Sequence, residues 1–255
     1  MSPFASYPSL KDRAVFVSGG GSGIGAAIVE HFAEQGAKVG FVDIDEAASK
    51  ALGARIAAAG HPAPLFAKSD VRDIAAYQGV IADMAGRLGP FTVLVNNAAR
   101  DDRHAIEDVT PAFWDERIAV NLRHQYFAIQ SVVPGMKKAG GGSIINFSSV
   151  SYHAMTPKLS VYQAAKAAVI GMTRGLARDF GPDKIRLNSI TPGWIMTQRQ
   201  IDLWLTPEAE AGLMQAQCLK EKLYPPDIAR MVLWLAADDS RLVTAQNFIV
   251  DGGRT

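Results

Sequence analysis

Tyr162 and Lys166 stand four residues apart in Tyr162-Gln-Ala-Ala-Lys166, and Ser149 lies thirteen residues upstream. On a helix, residues four apart share a face. An ammonium so placed favours the phenolate and lowers the phenol's pKa. A phenol tuned in this way takes a proton from an alcohol near neutral pH. Asn121 lies further up, in Asn-Leu-Arg, and Ser18-Gly-Gly-Gly-Ser-Gly-Ile-Gly25 lies near the N-terminus. The glycine run offers a place for a dinucleotide. Together these residues describe hydride transfer between an alcohol and a carbonyl.

The glycine run follows one expected strand and opens an expected helix. Gly19 permits a tight turn, while Gly23 and Gly25 let pyrophosphate and helix approach closely. The helix N-terminus then offers free N–H groups and partial positive charge to phosphates. Ser22 and Ile24 lie in the same loop. The spacing is G-x-x-x-G-x-G, and alone it also fits a plain turn. Asp43 ends the next strand, eighteen residues past Gly25. An acid roughly 20 residues on is placed to hydrogen-bond a ribose 2′-hydroxyl, and it repels a 2′-phosphate. With Asp45 and Glu46 beside it, Asp43 reads as selecting NAD; the plainer reading is a cap for the following helix. Asp70-Val71 and Asn96-Asn97-Ala98-Ala99 follow the third and fourth strands, at the crevice side of an α/β sheet. There Asp70 is a candidate acceptor for the adenine amino group, and the backbone near Ala98 a candidate wall for adenosine; each alone also suits a turn.

The elements that must hold these residues alternate. Strands are expected at Ala14 to Ser18, Lys38 to Asp43, Pro64 to Lys68, Phe91 to Asn96, Gly142 to Ser148, Ile185 to Ile190 and Asn247 to Asp251. Helices are expected at Gly23 to Gln35, up to about Ala59, Asp73 to Leu88, Pro111 to Lys138 and Val161 to Phe180. Short apolar strands without in/out alternation imply a sheet covered on both faces. Alternation with helices implies parallel βαβ units. The fold class is therefore α/β: one Rossmann-like, doubly wound parallel sheet of about seven strands over residues 1–255. The stretch from Thr191 to about Thr206 is expected to be irregular, and a substrate loop or lid to span about 191–217.

Composition excludes several classes. The 255 residues, 48% hydrophobic, suffice for one large core. Lys+Arg is 26 against Asp+Glu 25 without a basic patch, which argues against nucleic acid. Cys218 is the single cysteine, so a disulfide framework is excluded; it reads as a small buried or interface residue. No apolar run approaches the ~18 residues of a membrane span, and Met1 to Leu10 lacks a signal core. A cytoplasmic location follows as an expectation. His31, His61, His104, His124 and His153 make no i, i+4 pair and have no Cys companion, so no metal site is expected.

The ordered set from Ser18–Gly25 through Asp43, Asp70-Val71, Asn96-Asn-Ala, Asn121, Ser149, Tyr162-x-x-x-Lys166 and Pro192-Gly193 closely resembles the short-chain dehydrogenase/reductase family. The resemblance runs from about Leu10 to Gly253. It implies that Tyr162 is the general acid/base and that Lys166 lowers its pKa and holds the nicotinamide ribose. Ser149 would stabilise charge on the substrate oxygen. Asn121 would help hold a water that links Lys166 to solvent. Pro192, Gly193, Ile195 and Thr197 would meet the nicotinamide end, and a homo-oligomer, dimer or tetramer, is implied. The family's usual glycine is Ala99 here.

The substrate must meet Arg100 to His104, Ser151 to Thr156 and Trp194 to Trp204. Arg103, His104, Ser149, Ser151, His153, Tyr162, Trp194, Arg199 and Trp204 are the candidate contacts. Such polar and aromatic loops suit a small sugar better than a steroid or fatty-acyl chain. Asp101-Asp-Arg-His104, Trp114-Asp-Glu-Arg and the Phe248-Ile-Val-Asp-Gly-Gly tail look like bacterial aldose 1-dehydrogenases of the D-xylose type, which oxidise C1–OH to a lactone. The alternatives are another alcohol, such as a keto sugar acid or 3-oxoacyl thioester, and a dinucleotide-sensing protein without catalysis.

Overall fold

Strands that are apolar throughout need cover on both sides, and the computed structural model, which describes residues 4–255, supplies it. Met1 to Pro3, the start of the polar N-terminal stretch, lie outside the described residues. The strands are β1 (Ala14–Ser18), β2 (Lys38–Asp43), β3 (Leu65–Lys68), β4 (Val93–Asn96), β5 (Gly142–Phe147), β6 (Ile185–Pro192) and β7 (Asn247–Val250). They form one sheet in the order β3-β2-β1-β4-β5-β6-β7, with every neighbouring pair parallel. The helices are α1 (Gly23–Glu34), α2 (Glu46–Ala58), α3 (Ile74–Leu88), α4 (Pro111–Ile118), α5 (His124–Lys138), α6 (Ser160–Phe180), α7 (Gln198–Trp204), α8 (Pro207–Ala216) and α9 (Pro225–Ala236).

Strand β1 shows why both faces must be covered. Val15 and Val17 join a cluster with Phe32 of α1, Ile56 of α2 and Val232 of α9. Phe16 points the other way, into a cluster with Tyr77 of α3, Val132 of α5 and Ala177 of α6. Its ring lies 5.3 Å from that of Phe91 and 6.0 Å from that of Tyr77. Strand order reverses at β1, between β2 and β4. The crevice beyond the carboxyl ends of these strands is where open α/β sheets bind ligands.

The structure adds α9 at Pro225–Ala236, a helix the sequence did not lead us to expect, and two further stretches differ from expectation. The helix expected over Pro111 to Lys138 is interrupted by a π-helical turn at Ala119–Arg123, centred on Asn121. Such turns insert a residue and redirect the side chains around it. Residues 191–217 are not irregular: β6 continues to Pro192, and α7 and α8 follow. Thr197 caps α7 by accepting from Gln200 N, and Thr206 caps α8 by accepting from Ala209 N. Pro207 at the first position and Glu208 and Glu210 in the first turn complete a strong helix start. Cys218, expected to be buried or at an interface, is exposed; the C-terminal tail holds its backbone instead, Cys218 N donating to Gly253 O. No helix among the described residues is long and apolar enough to cross a membrane.

The glycine loop is closed by contact rather than by composition. A Cβ on Gly25 would stand 1.8 Å from the Gly19 carbonyl oxygen. Gly19 itself has φ +67, and its own Cβ would meet the Ala98 Cα at 2.8 Å. Overpacking of this kind costs ~1–3 kcal/mol. Gly25→Ala is therefore expected to lower Tm by at least ~2 °C for a chain of this size. An unchanged melting curve would mean that the loop opens without cost.

Candidate active site

Helix α6 carries Tyr162 and Lys166, and buried polar links fix it on the sheet. Asn96 Nδ2 donates to Asn146 Oδ1 at 2.9 Å, and Asn146 Nδ2 donates to Thr173 Oγ1 at 3.0 Å. Ser148 Oγ donates to the Lys166 carbonyl at 2.7 Å. At its N-terminus α6 has no side-chain cap from Leu159. His104 takes that part: Nε2 accepts from Val161 N at 3.3 Å and bonds Ser160 Oγ at 3.2 Å. His104 Nδ1 bonds the Asp102 carbonyl, so the ring is buried and engaged at both nitrogens. It was a substrate candidate; it acts instead as the cap of the catalytic helix and does not line the pocket.

Lys166 is 1% exposed, and its Nζ donates to the Phe147 carbonyl at 2.9 Å. Burial pulls its pKa down to about 7, opposed by Asp101. The same Nζ lies 5.7 Å from the Tyr162 ring centroid. The sequence argument has Lys166 lowering the phenol's pKa. In the structure the Tyr162 phenol is instead raised, first by burial and then by the Asp101 carboxylate, against smaller downward pulls from the Ser149 hydroxyl and Arg103. The reason is the phenol's own desolvation, the largest of these effects. Asn121 is fully buried, and its side chain is spent on backbone: Nδ2 donates to Arg100 O and Arg117 O, each at 3.0 Å, while Oδ1 accepts from Arg100 N at 2.9 Å. It pins the segment after β4 to the π turn.

The dinucleotide candidates gather at the carboxyl edge. Ser22 precedes α1 without a side-chain cap bond, which leaves the end of α1 to an external acceptor. Asp43 Oδ2 accepts from Gly21 N at 2.8 Å and Oδ1 from Asp45 N at 3.0 Å. The cap of α2 is Asp45, not Asp43. Asn97 Nδ2 donates to the carbonyls of Ser18 and Gly19, and Ala98 N donates to Ser18 Oγ, so β4 buttresses the loop. Thr197 Cγ2 lies 3.1 Å from where a Gly23 Cβ would be. Ile195 is buried and bridges to Leu223, and Gly193 N donates to Val250 O. Val71 is buried in the core, while the Asp70 carboxylate is forked by Arg72 and held below its usual range by that hydrogen bonding.

A pocket of about 510 Å³ opens beside these residues, within the usual size for small-molecule sites. Of the substrate candidates, Arg103, Ser149, Ser151, Tyr162, Trp194 and Trp204 line it. His153 is exposed and stacks on Tyr152, with ring centroids 4.0 Å apart. Arg199 is also outside, pairing with Asp102 at 3.1 Å and Asp101 at 3.5 Å. Asp101, Gln200 and Arg254 line the pocket without having been singled out. Gln200 Nε2 donates to Asp101 Oδ2 at 2.9 Å, and Trp194 Nε1 donates to Gln200 Oε1 at 2.8 Å. Contacts spanning ninety-nine residues leave no local signal. Among the described residues no group of three or more His, Cys, Asp or Glu is placed to hold a metal.

The lowered Lys166 pKa has a stability consequence. Between about 7 and 10.5 the unfolded chain keeps a proton that the folded chain releases, so this group makes stability rise with pH across that window. Below it the buried ammonium is carried at full cost. Lys166→Met is expected to be more stable than the parent, with a larger margin at pH 6 than at pH 9. Urea unfolding at both pH values measures this; an equal margin at both would sink the assignment.

The architecture and the site have counterparts among known proteins. A family model described as "Enoyl-(Acyl carrier protein) reductase" matches residues 19–255. "Probable galactose dehydrogenase GalD" of Rhizobium meliloti (strain 1021) is 50% identical over 251 residues, covering 98% of both chains. "D-xylose 1-dehydrogenase" of Caulobacter vibrioides (strain NA1000 / CB15N) is 49% identical over 249 residues, again covering 98% of both. The solved structure of a 7α-hydroxysteroid dehydrogenase complexed with NADH and 7-oxo glycochenodeoxycholic acid superposes with a TM-score of 0.91 at 28% identity, covering 96% of each chain. With its seven-stranded parallel sheet and its Ser149, Tyr162 and Lys166 about one pocket, this chain belongs to the short-chain dehydrogenase/reductase family, enzymes that act on CH–OH donors with a nicotinamide cofactor.

Proposed function

We propose that this enzyme is an NAD-dependent aldose 1-dehydrogenase, oxidising the C1 hydroxyl of a sugar to a lactone. The observation that carries this reading is the polar wall facing Ser149 and Tyr162: Asp101, Gln200 and Trp194 joined by hydrogen bonds, with the Trp204 indole beside them. Carboxylate and carboxamide meet hydroxyls, and an indole covers a C–H face. The two relatives named for galactose and D-xylose, each about half identical along nearly the whole chain, support the same substrate class.

In this mechanism Ser149 hydrogen-bonds the C1 oxygen and Tyr162 takes its proton. Lys166, with a pKa of about 7, accepts and releases a proton at the working pH. Gly19 to Gly25, Asn97, Ala98 and the turn from Pro192 to Thr197 would hold the dinucleotide, which supplies the hydride acceptor when bound. Asp43 selects NAD by repelling a 2′-phosphate. Its surroundings support this: Lys50 and Lys68, the cations near the end of β2, both pair with Glu46. The chain works as one domain in the cytoplasm, with residues 191–217 as its lid. It assembles with copies of itself, for which the exposed Trp114, Tyr126 and Ile249 offer apolar surface.

Three measurements test the reading. Tyr162→Phe should keep NADH affinity and lose ~10²–10⁴ in turnover; turnover within about threefold of the parent would remove the phenol from its role. Asp43→Ala combined with Ile44→Arg should shift the kcat/KM ratio toward NADP, by loss of repulsion and gain of a phosphate partner. Reduction of NAD, followed at 340 nm with D-xylose, L-arabinose, L-fucose and D-galactose, decides the substrate class. Activity on an acyl or steroid alcohol with none of these sugars would overturn the aldose assignment.

A further inference from the structure

The pocket wall holds arginine side chains whose hydrogen-bonding capacity the protein itself leaves largely unused. Arg254, on the tail after β7, lines the pocket and is partly buried. No hydrogen bond or ion pair engages its guanidinium among the described residues. Arg103 stacks 4.9 Å over the Trp204 ring, and its one hydrogen bond, to the Pro157 carbonyl, is 3.5 Å long. The pocket's carboxylate is in the opposite condition. Asp101 already accepts from Gln200 and pairs with Arg199, and Arg100 is paired with Asp102. A ligand therefore meets a surplus of donors and of positive charge.

A neutral sugar satisfies donors one hydroxyl at a time. A carboxylate offers about four acceptor sites and takes the arginine fork as a bidentate pair. Resting on the aldose reading above, we propose that the preferred substrates are uronic acids, aldoses that end in a carboxylate, held by Arg254 and Arg103. Their C1–OH then lies at Ser149 and Tyr162. The chemistry balances without a further reactant: the C1 hydride passes to the dinucleotide, the hydroxyl proton leaves through Tyr162, and the lactone keeps its carboxylate.

D-galacturonate and D-galactose share their configuration from C1 to C5 and differ in the carboxylate, so the ratio of their kcat/KM values isolates it. Hydrogen bonds to charged groups predict a preference for the uronate of ~10-fold or more. Arg254→Gln should collapse that ratio, and Arg254→Lys, which keeps the charge without the fork, should restore part of it. Arg103→Gln offers a second variant should the tail position fold poorly. Raising salt should raise KM for galacturonate more than for galactose. Calorimetric titration of galacturonate into the NADH-loaded enzyme reads binding without turnover, and should show tighter binding than galactose. Oxidation of galactose without preference for galacturonate, or a ratio untouched by Arg254→Gln, would overturn the uronate inference and leave the aldose reading standing. If neither sugar binds or reacts, the uronate inference falls, and the aldose reading is then decided by D-xylose, L-arabinose and L-fucose.

Discussion

The burial of Lys166 is the constraint on which the rest of the site depends. An amine that is 1% exposed in an α/β interior resists ionisation unless it is compensated. Here a single carbonyl, that of Phe147 at the end of β5, faces its Nζ. A nitrogen held in this way is sensitive to small shifts of helix against strand, and the fold answers with rigidity. Asn146 ties β4 and β5 to α6 through Thr173, Ser148 ties the end of β5 to the Lys166 carbonyl, and His104 closes the helix N-terminus one residue before Tyr162. The Tyr162–Lys166 pair is thus positioned by buried side chains. Breaking one of these links would leave a buried donor or acceptor alone, at a cost of ~1–3 kcal/mol.

A second set of charges spans the crevice. The Asp70 carboxylate is held by Arg72, which also reaches Glu116 at 2.7 Å; Glu116 pairs with Arg117, and Arg117 with Asp102 at 2.7 Å. Asp102 in turn holds Arg199 of α7. Arg117 is the buried member, so removing either of its carboxylates would strand a charge away from water. Exposed members such as Arg72 and Arg199 contribute less, since water and salt screen them. The bar runs from the end of β3 to α7 and fixes the segment after β4 from outside, as Asn121 fixes it from inside.

Much of this was legible in the sequence because it is local. Strand and helix alternation, the glycine loop, Asp43 at the end of β2 and the Tyr162–Lys166 spacing all follow from residues within a turn or a strand of one another. Helices α7 and α8 were missed, because Pro192-Gly193 before them suggested a loop, although Thr206-Pro207-Glu208 marks the start of α8. The π turn at Asn121 leaves no such mark, because its sequence suits an unbroken helix. Asp101, Gln200 and Arg254 were out of reach for a different reason. Their meaning lies in pairs formed across the whole chain, or in the lack of one. His104 and His153 illustrate the converse: correct placement near the site by sequence, yet one ring is turned into helix capping and the other onto Tyr152.

The electrostatics of Tyr162 join α7 to the chemistry. Asp101 is the anion that pushes the phenol up, and it also supports the charge of Lys166. Its carboxylate is held by Gln200 and Arg199, both on α7. Any displacement of α7 removes an amide donor and a cation from Asp101 and leaves its negative charge less compensated beside the phenol. The polar chain from Trp194 through Gln200 to Asp101 therefore does two things with one set of atoms. It shapes the pocket wall, and it holds the carboxylate that raises the Tyr162 phenol after burial has done so.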